Sequence, residues 1–192
     1  MPDVNQPVLD FLLSRRSRPA KTLVAPAPEP ATLQMLLTAA ARVPDHGKLE
    51  PWRFIVLEGG ALARLGDLAE QRAQALGLDM DRAAKGINQF RAAPLMVAVV
   101  ASPVASPKVP QFEQILSAGA LALGLLNAAL AAGWGANWLS GWPAHDRAFV
   151  EQGLGLSPDE QIAAFMVIGT PTRTPPERPR PDIAAKTTWR SA

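Results

Sequence analysis

From Ile115 to Ala144 the chain carries no charged side chain, and this stretch limits its possible folds more than any other. Its apolar part, Ile115 to Ala132, reaches the roughly 17 to 25 residues that span a bilayer as a helix. Ser117, Gly119, Gly124 and Asn127 dilute it, however, and no lysine or arginine anchors its C-terminal side, so it reads as a helix buried in protein. The expected helix runs from about Gln111 to Ala132, with Gly133 placed to end it. A chain of 192 residues does not readily cover so much apolar surface alone, so a second copy is expected against it.

The other elements follow from hydrophobic spacing. Pro7 suits the first turn of a helix capped by Asn5 or Gln6, with Val8, Phe11 and Leu12 on one face. After the extended "APAPEP", Leu33, Leu36, Leu37 and Ala40 mark a second helix to about Arg42, stopped by Pro44. "WRFIVLEGG" reads as a strand, about 61–75 as a third helix, and Asp79 to Gln89 as a polar helical stretch. The continuous apolar run "APLMVAVVAS" belongs in the centre of a sheet. "WGANWLSG" and "QIAAFMVIGTP" are the remaining strands, with a short helix in "HDRAFVEQGLG" that Asp146 can cap. The order predicts a sheet with helices on both faces. Residues 171–192, rich in proline and arginine, cannot form a core. They read either as a disordered tail or as an arm wrapping a neighbour through Ile183 and Trp189.

Composition narrows the chemistry. With no cysteine, disulfides, thiolate metal sites and thiol nucleophiles are excluded. Tyrosine is also absent, and His46 and His145 are the only histidines, which points to a bound cofactor as the agent of any reaction. Nineteen basic against seventeen acidic residues leave a net charge of +2, which implies no nucleic-acid partner. Trp134, Trp138 and Trp142 recur at every fourth position without nearby cations, so they read as core or site wall. "MPDVNQPVLD" lacks a basic region followed by an apolar one, so a cytoplasmic protein without a membrane partner is expected.

Near the N-terminus, "SRRSRP" places Arg15, Arg16, Ser17 and Arg18 in succession. They form either a cationic helix end, favourable to the macrodipole, or an anion site in which planar guanidinium forks and a hydroxyl grip a phosphate.

"SRRSRP", "ARVPDHGKLEPWRF" and "NWLSG", in that order from Leu9 to Thr170, resemble the nitroreductase family of FMN-dependent oxidoreductases, in particular its short-chain NAD(P)H nitroreductase branch. The resemblance implies an α+β fold, a three-layer α-β-α sandwich with a central, mostly antiparallel sheet, built as a homodimer with FMN at the subunit interface. One FMN-binding domain over 1–170 would then carry an arm over 171–192. Arg15, Arg16 and Ser17 match the triplet that holds the ribityl phosphate. Arg42 and His46 match contacts to the flavin or the nicotinamide donor made from the other subunit. Trp138, Leu139 and Ser140 match the segment that lines the flavin and completes its phosphate site. The helix end Ala128, Ala129, Leu130, Ala131, Ala132 and Gly133 is similar to the part that meets the pyridine nucleotide. NADH or NADPH would donate electrons, and a small electron-poor molecule such as a nitroaromatic or quinone would accept them. Many relatives have serine and asparagine after the proline and glutamine before Pro-Trp; here Asp45, His46 and Glu50 occupy that region, placing an imidazole where a neutral amide is usual. The rival readings are a flavoprotein of the same fold that removes a substituent reductively or cleaves flavin, an FMN-binding protein without turnover, and a basic surface-binding module.

Overall fold

A computed structural model of the chain describes residues 2–191. Among them are six α-helices: α1 Gln6–Ser14, α2 Pro30–Ala40, α3 Gly60–Ala75, α4 Met80–Arg91, α5 Gln111–Ala131 and α6 Arg147–Leu154. Five strands complete the fold: β1 Leu23–Val24, β2 Trp52–Leu57, β3 Met96–Ala101, β4 Gly135–Leu139 and β5 Gln161–Pro171. All four strand pairings are antiparallel, in the path β1-β5-β3-β2 with β4 also on β5. The expected α+β sandwich with an antiparallel sheet is therefore present.

Side chains on a strand alternate between faces, and β3 uses both. All six of its residues are buried, as the unbroken apolar run requires of a central strand. Met96, Ala98 and Val100 join Phe165 and Val167 of β5 under α3, α4 and α6, where Phe90 and Phe149 pack with ring centroids 5.2 Å apart. Val97 and Val99 join Ala164, Met166 and Ile168 on the opposite face, under α2 and α5. The register slips once, between Val99 and Val100. Val99 faces Ala164 and Val100 faces Ile162, so Ala163 is the extra residue of a bulge.

Helix α5 alone among the described residues has the length and hydropathy to cross a membrane. Here it lies on the sheet, with Ala118, Leu121, Ala122, Leu125 and Ala129 wholly buried. Gly124 lets α2 cross it closely, since a Cβ there would stand 3.0 Å from the Ala40 carbonyl oxygen. The opposite stripe is bare: Phe112, Leu116 and Leu123 are 68%, 55% and 46% exposed, and a Cβ on Gly119 would meet nothing within 4 Å. Helix α1 buries no residue, leaving Val8, Leu12 and Leu13 exposed.

One sequence expectation is revised and one strand is added. Asp146 precedes α6 but makes no capping bond; its carboxylate accepts two bonds from Arg72 of α3, at 2.7 and 3.1 Å. The strand β1, only two residues long, was not foreseen.

Candidate functional site

Pro7 stands in the first turn of α1 and Asn5 accepts from Val8 N–H, which starts the helix where proline permits it. Arg15, at φ −58° and ψ 140°, ends it. The two cations are not used to cap the helix. Arg15 Nη2 donates to Ser17 Oγ at 3.2 Å, and Arg16 Nη1 donates to the Pro176 carbonyl at 2.6 Å. Arg18 N–H donates to the Ala136 carbonyl at 2.9 Å, and the Asn137 amide returns a bond to the Arg18 carbonyl at 2.6 Å. These bonds hold the stretch against the start of β4.

Two nitrogens in the group, Arg15 Nε and Arg18 Nη1, are buried without a hydrogen-bond partner. Burial lowers the Arg15 pKa, and the charges of Arg16 and Arg180 lower it further. Buried donors on cations are ordinarily satisfied, and cations that crowd and desolvate one another are unfavourable unless an anion joins them. The donor set therefore fits a phosphate.

A cleft of about 580 Å³ begins one residue past Arg18. Pro19, Ala20 and Lys21 form one wall, Lys85, Asn88 and Gln89 of α4 another, and Asn137, Leu139 and Val167 the floor. Such a volume suits a small-molecule site. Asn137 joins the two parts, since it both lines the cleft and bonds the arginine stretch. The lining has two lysines, three amides and no carboxylate. Gln89 Nε2 reaches the Ser140 carbonyl at 3.4 Å, and Trp142 Nε1 donates to the Ala83 carbonyl at 3.3 Å, fixing β4 and the following turn to α4. Gly86 makes this fit possible, because a Cβ there would lie 2.3 Å from Trp142 Nε1. Lys21, Lys85, Asn88 and Gln89 were not singled out from sequence, where α4 shows only as a polar helix.

The other candidates divide between the ends of α5. Ala128 to Gly133 form its C-terminal turn: Ala129 is fully buried, while Ala131, Ala132 and Gly133 are exposed. Gly133, at φ 84°, turns the chain toward β4. Trp138 is 38% exposed, Leu139 is half-buried in the cleft and Ser140 is exposed. These residues lie on the arginine side.

Arg42 and His46 lie at the other end. α2 stops at Ala40 and Arg42 is exposed beyond it. The Asp45 carboxylate folds the loop back by accepting from Leu49 and Glu50 N–H, at 3.1 and 2.8 Å. Lys48 and Glu50 take positive φ values of 54° and 48°, strain of a kind that gathers at binding loops. Ser117 Oγ donates to the Pro44 carbonyl at 2.7 Å, and His46 Nδ1 is 2.7 Å from Glu113 Oε2. The loop thus sits on the first turns of α5, and the helix spans about 27 Å between Glu113 and Ala131 at 1.5 Å per residue. One chain does not gather all the candidates around one small ligand.

Residues 12–170 match the model of the nitroreductase family. The protein named "Putative NAD(P)H nitroreductase YdjA" of Escherichia coli (strain K12) is 38% identical over 163 residues, 85% of this chain and 87% of that protein. Among solved structures, the nitroreductase-like family protein from Bacillus cereus superposes with a TM-score of 0.80 at 24% identity, over 100% of both chains. The FMN and NADPH-dependent nitroreductase NfnB from sphigopyxis sp. strain HMH superposes with a TM-score of 0.71 at 21% identity, over 95% of this chain and 98% of its own.

Proposed function

The chain belongs to the nitroreductase family, and from that premise we propose that it is an FMN-dependent oxidoreductase passing a hydride from NADH or NADPH, by way of the flavin, to an electron-poor small molecule such as a nitroaromatic or quinone. The observation that carries this reading is the pair of buried, partnerless guanidinium nitrogens on Arg15 and Arg18 beside a cleft that starts at Pro19.

Bound FMN supplies the redox chemistry; the chain's residues bind, orient and shield. Arg15, Arg16 and Ser17 hold the phosphate, with charge-assisted bonds that also tell FMN from riboflavin. The cleft takes the ring system, with Leu139 as apolar wall and Lys21, Lys85, Asn88, Gln89 and Asn137 as polar contacts. The lysines, with no carboxylate in the lining to oppose them, favour negative charge on whatever occupies the cleft. Trp138 and Ser140 flank it, and the turn Ala128 to Gly133 borders the nucleotide's approach.

The site is completed by a second copy. Phe112, Leu116 and Leu123 form an apolar stripe on α5 that its own subunit leaves uncovered, and the bare Gly119 among them allows close approach. A two-fold axis across α5 sets one subunit's C-terminal end beside the other's N-terminal end, so that Arg42 and His46 of one subunit reach the flavin held by its partner. Residues 1–170 act as the FMN-binding domain and 171–192 as its arm, in a protein placed in the cytoplasm.

An absorption spectrum, sedimentation and NAD(P)H oxidation together test this reading. A yellow dimer that releases FMN on denaturation and oxidises NADH or NADPH with a quinone or nitroaromatic is expected. A colourless monomer that takes up no added FMN overturns it. A yellow dimer without turnover leaves only flavin binding.

A further inference from the structure

The root of the C-terminal arm is held in register over the arginine stretch. β1 pairs antiparallel with the end of β5, Leu23 opposite Pro171 and Val24 opposite Thr170. One step on, Thr172 donates both its N–H, at 2.9 Å, and its hydroxyl, at 3.0 Å, to the Thr22 carbonyl. From Thr172 the arm runs back past the turn at 19–21 toward Arg16, Ser17 and Arg18. Its contact there is specific: Arg16 Nη1 donates to the Pro176 carbonyl at 2.6 Å and lies 3.7 Å from Glu177 Oε1. The same arm brings Arg180 close enough for its charge to act on Arg15. Among groups crowded with cations, Glu177 is the anion that the arm supplies.

We infer that Glu177 is an internal competitor for the cofactor phosphate: its carboxylate and the Pro176 carbonyl both address Nη1 of Arg16, so the Arg16–Glu177 pair and a phosphate bond through that nitrogen exclude each other. The inference rests on the FMN reading. A guanidinium edge serves one planar acceptor pair at a time, and a tethered carboxylate acts at an effective concentration on the order of millimolar. The pair is nonetheless weak. Glu177 is 74% exposed and stands 3.7 Å away, the kind of surface contact that solvent screens. A dianion with paired bonds displaces it, and the cost appears as a lower affinity for FMN in proportion to the time Arg16 spends with the arm.

Titration of the full-length apo-protein with FMN and with riboflavin, followed by flavin fluorescence quenching, tests this. Glu177→Gln should bind FMN about two- to five-fold more tightly, the range of an exposed ion pair, with riboflavin affinity unchanged. In an Arg16→Ala background the same substitution should change nothing, because its effect passes through Arg16. Unchanged or weaker FMN binding by Glu177→Gln overturns the inference, as does an equal gain for riboflavin or a gain that survives in Arg16→Ala. Wild-type protein that takes up neither flavin overturns the functional reading and this inference together, whereas normal uptake without the Glu177→Gln gain overturns this inference alone.

Discussion

Glu160, at the head of β5, ties together three parts of the chain that are distant in sequence. Its carboxylate accepts two bonds from Arg53 of β2, at 2.6 and 2.8 Å, one from Ser102 Oγ at 2.8 Å and one from Ser157 N–H at 2.9 Å. Its side chain is only 9% exposed. The Arg53 bonds dominate and, with Ser157 and Ser102, outweigh the opposing effect of burial, bringing its pKa from 4.5 to about 2. Because the folded-state value lies below the unfolded one, this stabilisation is complete above about pH 4.5 and drains away as pH falls toward 2. At 1.36 kcal/mol per pKa unit the shift corresponds to on the order of 3 kcal/mol at neutral pH, an upper figure because Arg53 is 40% exposed and solvent screens the pair. Glu160→Gln keeps the shape but loses the charge, and its single amide oxygen can replace only one of the two carboxylate oxygens that accept separately from Ser102 and Ser157. Urea denaturation at a series of pH values should find the variant about 2 to 3 kcal/mol less stable at pH 7, with the two curves converging by about pH 2. A difference that stays constant across that range, or one below about 1 kcal/mol at pH 7, would refute the charge argument.

Arg15→Ala should cost about 1.5 to 3 kcal/mol of FMN affinity, roughly 10- to 150-fold, while leaving riboflavin almost indifferent; equal losses, read by fluorescence quenching, would make the arginine a support of the fold. Gly86→Ala drives a methyl into the Trp142 ring and should destabilise the chain by about 1 to 3 kcal/mol in urea, together with a change in Trp142 fluorescence. Leu116→Glu combined with Leu123→Glu puts charge on the bare stripe of α5. Sedimentation should then find monomer, and turnover should fall with dimer content because Arg42 and His46 no longer reach a partner's flavin.

Where sequence and structure agree, a single physical demand explains the agreement. An unbroken run of apolar residues at 96–101 has to be buried on both faces, and β3 is. An alanine-rich helix without a charge beyond Glu113 has to find cover, and half of α5 does so on the sheet while the remaining stripe stays bare. Prolines and Asn5 mark where α1 begins, and a cluster of cations marks where it ends. The unforeseen features depend on distant partners. β1 is two residues long and exists because the end of β5 passes beside it. Asp146 stands at the start of α6, but Arg72 of α3, three helices earlier in the chain, draws its carboxylate off the cap. The cleft wall of Lys85, Asn88 and Gln89 looks from sequence like any solvated helix face, and only the packing of Trp142 on Gly86 turns it toward β4. The pairing of Arg16 with Glu177 joins opposite ends of the chain, beyond the reach of local pattern.

The length of α5 also has a genetic consequence. With the arginine cradle near one end and the His46 loop at the other, each pocket of the proposed dimer draws its parts from both subunits. Two impaired alleles, one lacking Arg16 and the other lacking His46, would then be able to complement each other. In a mixed dimer both lesions fall in the same pocket and the second pocket is assembled wholly from intact residues, so a cell carrying the two alleles keeps a fully built pocket that neither allele assembles alone.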